Sequence, residues 1–325
     1  MRWRASQPKP ASGSGAASHY NGVVLWAAGG VYRVLLDTNQ QIDAALRGRL
    51  KLEQRTGDRV VAGDRVWVEL HDEDRSYAIE AVADRKSELA RRAPGRGGQK
   101  AKVLVANVDQ VVIVVSITRP DPKLRMLDRM LVLAEANDLP SLIVVNKVDL
   151  ADVESARKLF TDYSAAGYSV LFTSVTQGIA IDELSRNVCG RESVLTGPSG
   201  VGKSSILKLL QPGSALRVAD ISDAVLKGRH TTVAAQLIPL QCGGYVVDTP
   251  GIREVGLWEI NPENLDICFP EFRGLIGDCR FTTSCSHTHE PDCAIHDAAT
   301  NGLISRERYS SYRELFAEAT DPNQR

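Results

Sequence analysis

The sequence predicts a multi-domain chain: an N-terminal five-stranded β-barrel, a central α/β domain on a parallel sheet, and a small, mostly helical C-terminal module that binds metal. Three observations carry this. Residues 20–83 hold short β-rich runs without a helical period, apolar strands alternate with amphipathic helices from about residue 103, and three cysteines and a histidine crowd into residues 279–293. At 325 residues the chain also exceeds the roughly 250–300 residues at which single cores stop growing.

Composition sets the broad class. With 43% hydrophobic and 24% charged residues the chain is ordinary for a globular protein, which excludes disordered and fibrous classes. No apolar run approaches the roughly 18 residues of a membrane span, so no membrane partner is expected. Residues 1–19 carry Arg2, Arg4 and Lys9 without an acid and lack the apolar centre of a secretory signal; they read as a disordered tail, with an organelle transit peptide as the lesser alternative. The expected compartment is therefore the cytoplasm, a plastid being the minor one. Cys189, Cys242 and Cys268 are scattered, and without a secretory signal no disulfide is expected.

The first domain spans 20–88. Its runs VVLWAA, VYRVLL, RLKL, RVVAGDRVWVEL and YAIEAVA are separated by Gly29-Gly30, Gly57-Asp58 and Gly63-Asp64, which suits either an oligonucleotide-binding-type barrel or a generic small one. Arg47, Arg49, Lys51, Arg55, Arg59 and Arg65 tilt the reading toward an RNA backbone as ligand. Net charge alone, at −1, gives no such hint. Seven further basic residues lie between Arg85 and Lys102 against one acid, Glu88, threaded with Pro94, Gly95, Gly97 and Gly98, and residues 89–102 read as a flexible basic linker.

The central domain spans 103–258. QVVIVVSIT, SLIVVN, YSVLFT, SVLTG and GYVVDT read as strands, and Leu124, Leu127, Leu131 and Ala134 share one face of a helix. Residues 197–204, GPSGVGKS, fit the phosphate-binding loop: Gly197, Pro198, Ser199, Gly200, Val201 and Gly202 wrap the phosphates with main-chain N–H groups. Lys203 then reaches the β- and γ-phosphates, Ser204 ligates Mg²⁺, and Ser205, a further nucleotide contact, opens the helix that runs to Leu210. Asn146, Lys147, Val148 and Asp149 form NKVD at a strand end, where a carboxylate accepts from the N1–H and exocyclic amine of guanine; adenine offers no matching pair. Thr173-Ser174-Val175, at the end of the strand YSVLF, sits where a main-chain N–H supports the guanine carbonyl, and Ser174 is the candidate contact. Asp248 and Gly251 of DTPG supply a Mg²⁺-holding carboxylate and a γ-phosphate donor.

Motif order is rotated. NKVD at 146 precedes GKS at 203 and DTPG at 248, whereas GTPases usually present the phosphate loop first and NKxD last, so a circularly permuted P-loop GTPase domain is expected. Ile252 stands where Ras-like enzymes carry the water-orienting Gln. His230, in KGRHTT, is the candidate replacement, with Thr231 and Thr232 reaching Mg²⁺ and the γ-phosphate; a group of the RNA ligand is the alternative.

Cys279, Cys285, His287 and Cys293 make C-x₅-C-x-H-x₅-C, a closed set for one structural zinc within a module spanning 259–325. His289 and His296 are alternative ligands. ISRERYSSYRELFAEA reads as a closing helix.

The permuted order, GRHTT at 228–232, ANVDQVVIV at 106–114 and the Cys/His cluster together resemble the RsgA (YjeQ) family of circularly permuted ribosome-assembly GTPases, over roughly residues 20–315. The resemblance implies a monomer that binds the small ribosomal subunit and its rRNA and assists late maturation, with GTP hydrolysed to GDP and phosphate on release. It departs in one spacing: five residues, not four, separate the first two cysteines. The rival readings are a metabolic or signalling GTPase with protein-binding modules, and a nucleotide-binding module that does not hydrolyse.

Overall fold

The computed structural model of the chain describes residues 18–48, 50, 59–71, 75–91, 102–211, 235–248 and 262–321. Its first domain is a closed barrel of β1 (Ser18–Ala28), β2 (Val31–Leu36), β3 (Gln41–Leu46), β4 (Arg65–His71) and β5 (Ser76–Val82), in the order β1-β2-β3-β5-β4. Strict alternation in β2 and β3 sends Tyr32, Val34, Leu36, Ile42, Ala44 and Leu46 inward. The run at 49–52, read as a strand, lies almost wholly outside the described residues.

Two short strands follow, β6 (Glu88–Arg91) and β7 (Lys102–Ala106), paired antiparallel. The stretch 89–102 therefore begins and ends in paired strand. Of its neighbours, Arg85 turns inward and donates to the fully buried Asp64 at 2.8 and 3.0 Å, while Lys86 pairs at the surface with Asp109 at 2.8 Å. Arg47 likewise pairs with Glu69 and Glu80, and Arg65 with Glu192. Two of the six barrel cations read as RNA contacts are thus engaged within the protein.

The central sheet comprises β8 (Gln110–Ser116), β9 (Ser141–Asn146), β10 (Ser169–Phe172), β11 (Glu192–Thr196), β12 (Gln236–Pro239) and β13 (Tyr245–Asp248), ordered β10-β9-β8-β11-β13-β12. Five strands are parallel, as expected. β12 is not: it runs antiparallel to β13, because the tight turn at Gln241–Gly244 permits only a hairpin. β8 is buried along its whole length, which explains its unbroken apolar run.

Helices α1 (Leu124–Glu135), α2 (Val153–Leu159), α3 (Thr161–Ala165), α4 (Ile181–Val188) and α5 (Lys203–Leu210) cover this sheet. The C-terminal module consists of short 3-10 turns between Pro262 and Ser284, then α6 (Ala294–Thr300) and α7 (Arg306–Thr320). α1 is buried on two sides: Leu127, Leu131 and Ala134 face the sheet core, whereas Val132 joins the core of the C-terminal module. Arg308 of α7, 2% exposed, is the polar link. It reaches Asp128 of α1 at 2.5 Å and Glu271 at 2.7 and 3.2 Å, and its guanidinium lies 4.6 Å from the Phe269 ring centroid.

One expectation is overturned. Cys189 and Cys242 form a disulfide, their Cα atoms 5.4 Å apart. They lie 53 residues apart in sequence, but β11 pairs with β13, and Gly190 N–H donates to Gly243 C=O at 2.8 Å, so the chain just ahead of both strands converges. Compartment governs whether such a bond persists; strand pairing decides whether it is within reach.

Candidate active site and metal centre

β9 and β11 flank β8, so both end at the same edge of the sheet. β9 delivers Asn146; Lys147 then turns the chain with φ +65° into a 3-10 turn, Val148–Leu150. β11 delivers Gly197 and the loop to Gly202, and α5 opens at Lys203 with its first main-chain N–H groups beside the loop.

Two glycines are dictated by close approach. A Cβ on Gly197 (φ +137°) falls 2.0 Å from the Val114 carbonyl oxygen, and one on Gly202 (φ +104°) 2.3 Å from Asn146 Nδ2. NKVD in turn braces the loop. Asn146, 2% exposed, donates from Nδ2 to Val201 C=O at 2.8 Å, and Thr173 Oγ1 donates to Asn146 Oδ1 at 3.3 Å. Lys147 Nζ donates to Gly200 C=O at 2.7 Å and also to Arg119 C=O. Lys203 Nζ lies over the loop, 2.7 Å from Gly197 O and 2.5 Å from Pro198 O.

Asp149 is half-buried beside the end of β10. Val148 N–H donates to Thr173 C=O at 3.2 Å, which sets Ser174 next to Asp149. Ser174 Oγ then donates to Asp149 Oδ1 at 2.5 Å, and Thr176 Oγ1 to Oδ2 at 3.1 Å. The Ser174 hydrogen bond chiefly holds the Asp149 carboxyl below its usual range, with help from Thr176 and the Lys147 charge and against partial desolvation. Of the main-chain N–H groups at 173–175 placed near the guanine carbonyl, that of Ser174 donates to Ile179 C=O at 3.2 Å, while the Ser174 hydroxyl meets Asp149. Thr176 was not singled out in the sequence, where Ser-x-Thr after a strand carries little signal.

Val201 anchors the loop in the core; Ser199, Gly200, Ser204 and Ser205 are exposed and Pro198 is half-buried. Asp248 ends β13, its main chain in register with Leu195 of β11 and Gln236 of β12. This sets the carboxyl end of β13 one strand from the P-loop. His230, Thr231, Thr232, Gly251 and Ile252 lie outside the described residues, as does the Asp248 side chain.

The second centre gathers Cys279, Cys285, His287 and Cys293, their ligand atoms within 4.8 Å of one another and all four residues buried. Cys279 Sγ stands 3.8 Å from Cys293 Sγ, and each lies 3.5 Å from His287 Nδ1. A tetrahedral zinc with bonds of about 2.3 Å to sulfur and about 2.0–2.1 Å to nitrogen has edges of roughly 3.8 and 3.5 Å, so this donor set fits the ion. His287 Nε2 faces Asp266 Oδ2 at 3.5 Å, which suits Nδ1 as the ligating atom. The 3-10 turn Thr282–Ser284, with φ +45° at Thr282, takes up the five-residue spacing between the first two cysteines. His289 and His296 stand outside the cluster, one beside Thr288 Oγ1 at 2.8 Å and the other against Tyr309. α7 holds the knuckle: Tyr309 OH donates to His287 C=O at 2.9 Å and Tyr312 OH to Ser286 C=O at 2.8 Å. Glu290 accepts from the Ser286, Thr288 and His289 N–H groups; despite partial burial, these donors hold its carboxyl at about 2. Cys268 belongs to the neighbouring core, where burial pushes its thiol up to about 12.

Among the described residues no helix is long and apolar enough to cross a membrane. Residues 82–258 match the RsgA GTPase family. A protein of Gemmatimonas aurantiaca named small ribosomal subunit biogenesis GTPase RsgA is 48% identical over 298 residues, covering 91% of this chain and 96% of that one. One of the same name from Thermotoga petrophila is 40% identical over 87% of this chain and 90% of its own. The crystal structure of YjeQ from Thermotoga maritima superposes with a TM-score of 0.73 at 35% identity, covering 93% of this chain and 99% of that one. That of YloQ, described as a circularly permuted GTPase, gives 0.71 at 27% identity over 96% and 98%.

Proposed function

The chain belongs to the RsgA GTPase family, and from that premise we propose that this GTP-hydrolysing enzyme binds the small ribosomal subunit and assists its late maturation. In this reading the ribosomal particle stimulates turnover, and loss of the γ-phosphate weakens the enzyme's grip on it. The protein acts as a cytoplasmic monomer.

One observation supports the nucleotide reading above the others: NKVD and the P-loop, about fifty residues apart in the chain, hold each other through Asn146–Val201 and Lys147–Gly200. A guanine-reading carboxylate and a phosphate cradle on one sheet edge have no common purpose without a nucleotide spanning them.

We assign the guanine contacts to Asn146, Lys147, Val148, Asp149 and Ser174, and the phosphate contacts to residues 197–205 with Thr231, Thr232 and Gly251. The oxygen donors Ser204, Thr232 and Asp248 suit Mg²⁺, which when bound neutralises the β- and γ-phosphate oxygens. Water attacks the γ-phosphorus as the bond to the β-bridging oxygen breaks, giving GDP and phosphate. His230, since Ile252 cannot hold a water, is assigned to orient that nucleophile.

One structural zinc is assigned to Cys279, Cys285, His287 and Cys293. Domains are drawn at 20–88, 103–258 and 259–325. The barrel and the basic stretch at 89–102 contact rRNA.

Co-sedimentation with purified small and large subunits, in GDP and in a non-hydrolysable GTP analogue, tests this. Binding to the small subunit that is stronger with the analogue supports it; binding indifferent to nucleotide and subunit defeats it. Turnover by His230→Ala, with and without small subunits, tests the catalytic assignment: unchanged stimulation removes His230.

A further inference from the structure

We infer that Thr176 is a specificity-determining residue of the guanine pocket, acting with Ser174 as a two-point clamp that positions the Asp149 carboxylate. This rests on the reading of Asp149 as the base-recognising group.

A single donor leaves a carboxylate free to swing about its Cβ–Cγ bond, whereas one donor on each oxygen fixes its plane. Asp149 has both: Ser174 Oγ on Oδ1 at 2.5 Å and Thr176 Oγ1 on Oδ2 at 3.1 Å. Proton counting makes the two roles interdependent. The hydroxyls are 3.0 Å apart, but each has one hydrogen; if both face Asp149, neither is left to bridge them. Ser174 Oγ is also pinned from behind, accepting from Gln177 N–H at 3.1 Å.

The clamp sits in a closed turn, since Ser174 and Ile179 exchange main-chain bonds of 3.2 and 3.0 Å. Each carboxylate oxygen offers two acceptor sites. The hydroxyls occupy one apiece, and the pair left over matches the N1–H and exocyclic amine of guanine. Thr176 thereby sets whether the second oxygen meets that amine.

Thr176 is exposed, so Thr176→Val removes the hydroxyl while keeping the branched shape and leaving the core untouched. Titration calorimetry compares GDP with inosine diphosphate, which lacks the exocyclic amine. The expected result is GDP weakened about five- to tenfold, with inosine diphosphate nearly unchanged and Thr176→Ser restoring the preference. A wild-type GDP-to-inosine ratio in Thr176→Val overturns the clamp, and equal weakening of both nucleotides reduces Thr176 to a structural residue. Asp149→Ala is the control on the underlying reading: if it still prefers GDP, Asp149 does not read the base.

Discussion

The side-chain amide of Asn146 donates to the main-chain carbonyl of Val201 at 2.8 Å, joining the end of one strand to the phosphate loop of another. Both residues are buried, so neither group has water to fall back on. Asn146→Ala leaves the Val201 carbonyl unsatisfied at a cost of about 1–3 kcal/mol. GDP affinity measured by calorimetry should fall about tenfold or more; unchanged affinity would show that the loop holds its shape without this brace.

Gly202→Ala attacks the same junction from the other side. Its φ of +104° disfavours any Cβ, and the added atom meets the Asn146 amide at 2.3 Å. Backbone strain alone costs about 1–2 kcal/mol. The variant should lose measurable nucleotide binding while its far-ultraviolet spectrum stays near wild type.

Arg308 joins two modules through the buried Asp128 and the half-buried Glu271, so truncating it strands both carboxylates as uncompensated charges. Arg308→Ala should lower unfolding free energy by about 3–5 kcal/mol in urea titrations. Arg308→Met combined with Asp128→Asn and Glu271→Gln should recover most of that loss. If the triple variant is no better than the single one, packing rather than charge holds the module on.

Glu192 lies where the barrel meets the P-loop strand. Burial outweighs Arg65 and Lys86 and raises its carboxyl from 4.5 to about 7. The folded state therefore holds the proton more tightly than the unfolded one. The associated stability is complete below pH 4.5 and fades as pH rises through about 7, by up to about 3 kcal/mol. Glu192→Gln should flatten the melting temperature over that interval; a profile as steep as wild type would remove Glu192 as its source.

Metal removal should act locally at first. Chelation, or Cys293→Ser, should reduce zinc from about one ion per chain and unfold the module around α6 and α7, because metal affinity and folding are coupled. Hydrogen exchange resolves this: protection is lost in 262–321 while β2 and β3 stay protected.

Much of this fold is written in local pattern. The alternation in β2 and β3, the unbroken apolar run of β8 and the glycines of the P-loop each report their surroundings directly. Asn146, Asp149 and Lys203 were legible because motif and strand end coincide. Features set by chain-distant packing were hidden. Nothing near Cys189 announces Cys242, nothing in α7 marks Arg308 as buried, and Arg65 looks like an RNA contact until Glu192 is placed beside it. Thr176 escaped because a hydroxyl two residues past a strand acquires meaning only from the carboxylate opposite.

The Cys189–Cys242 bond closes residues 189–242 into a covalent ring that contains the whole P-loop and the KGRHTT run. A protease that cuts once between 190 and 241 opens the ring without releasing either piece. On a non-reducing gel such a nicked molecule migrates as one band, and the two fragments separate only after thiol treatment.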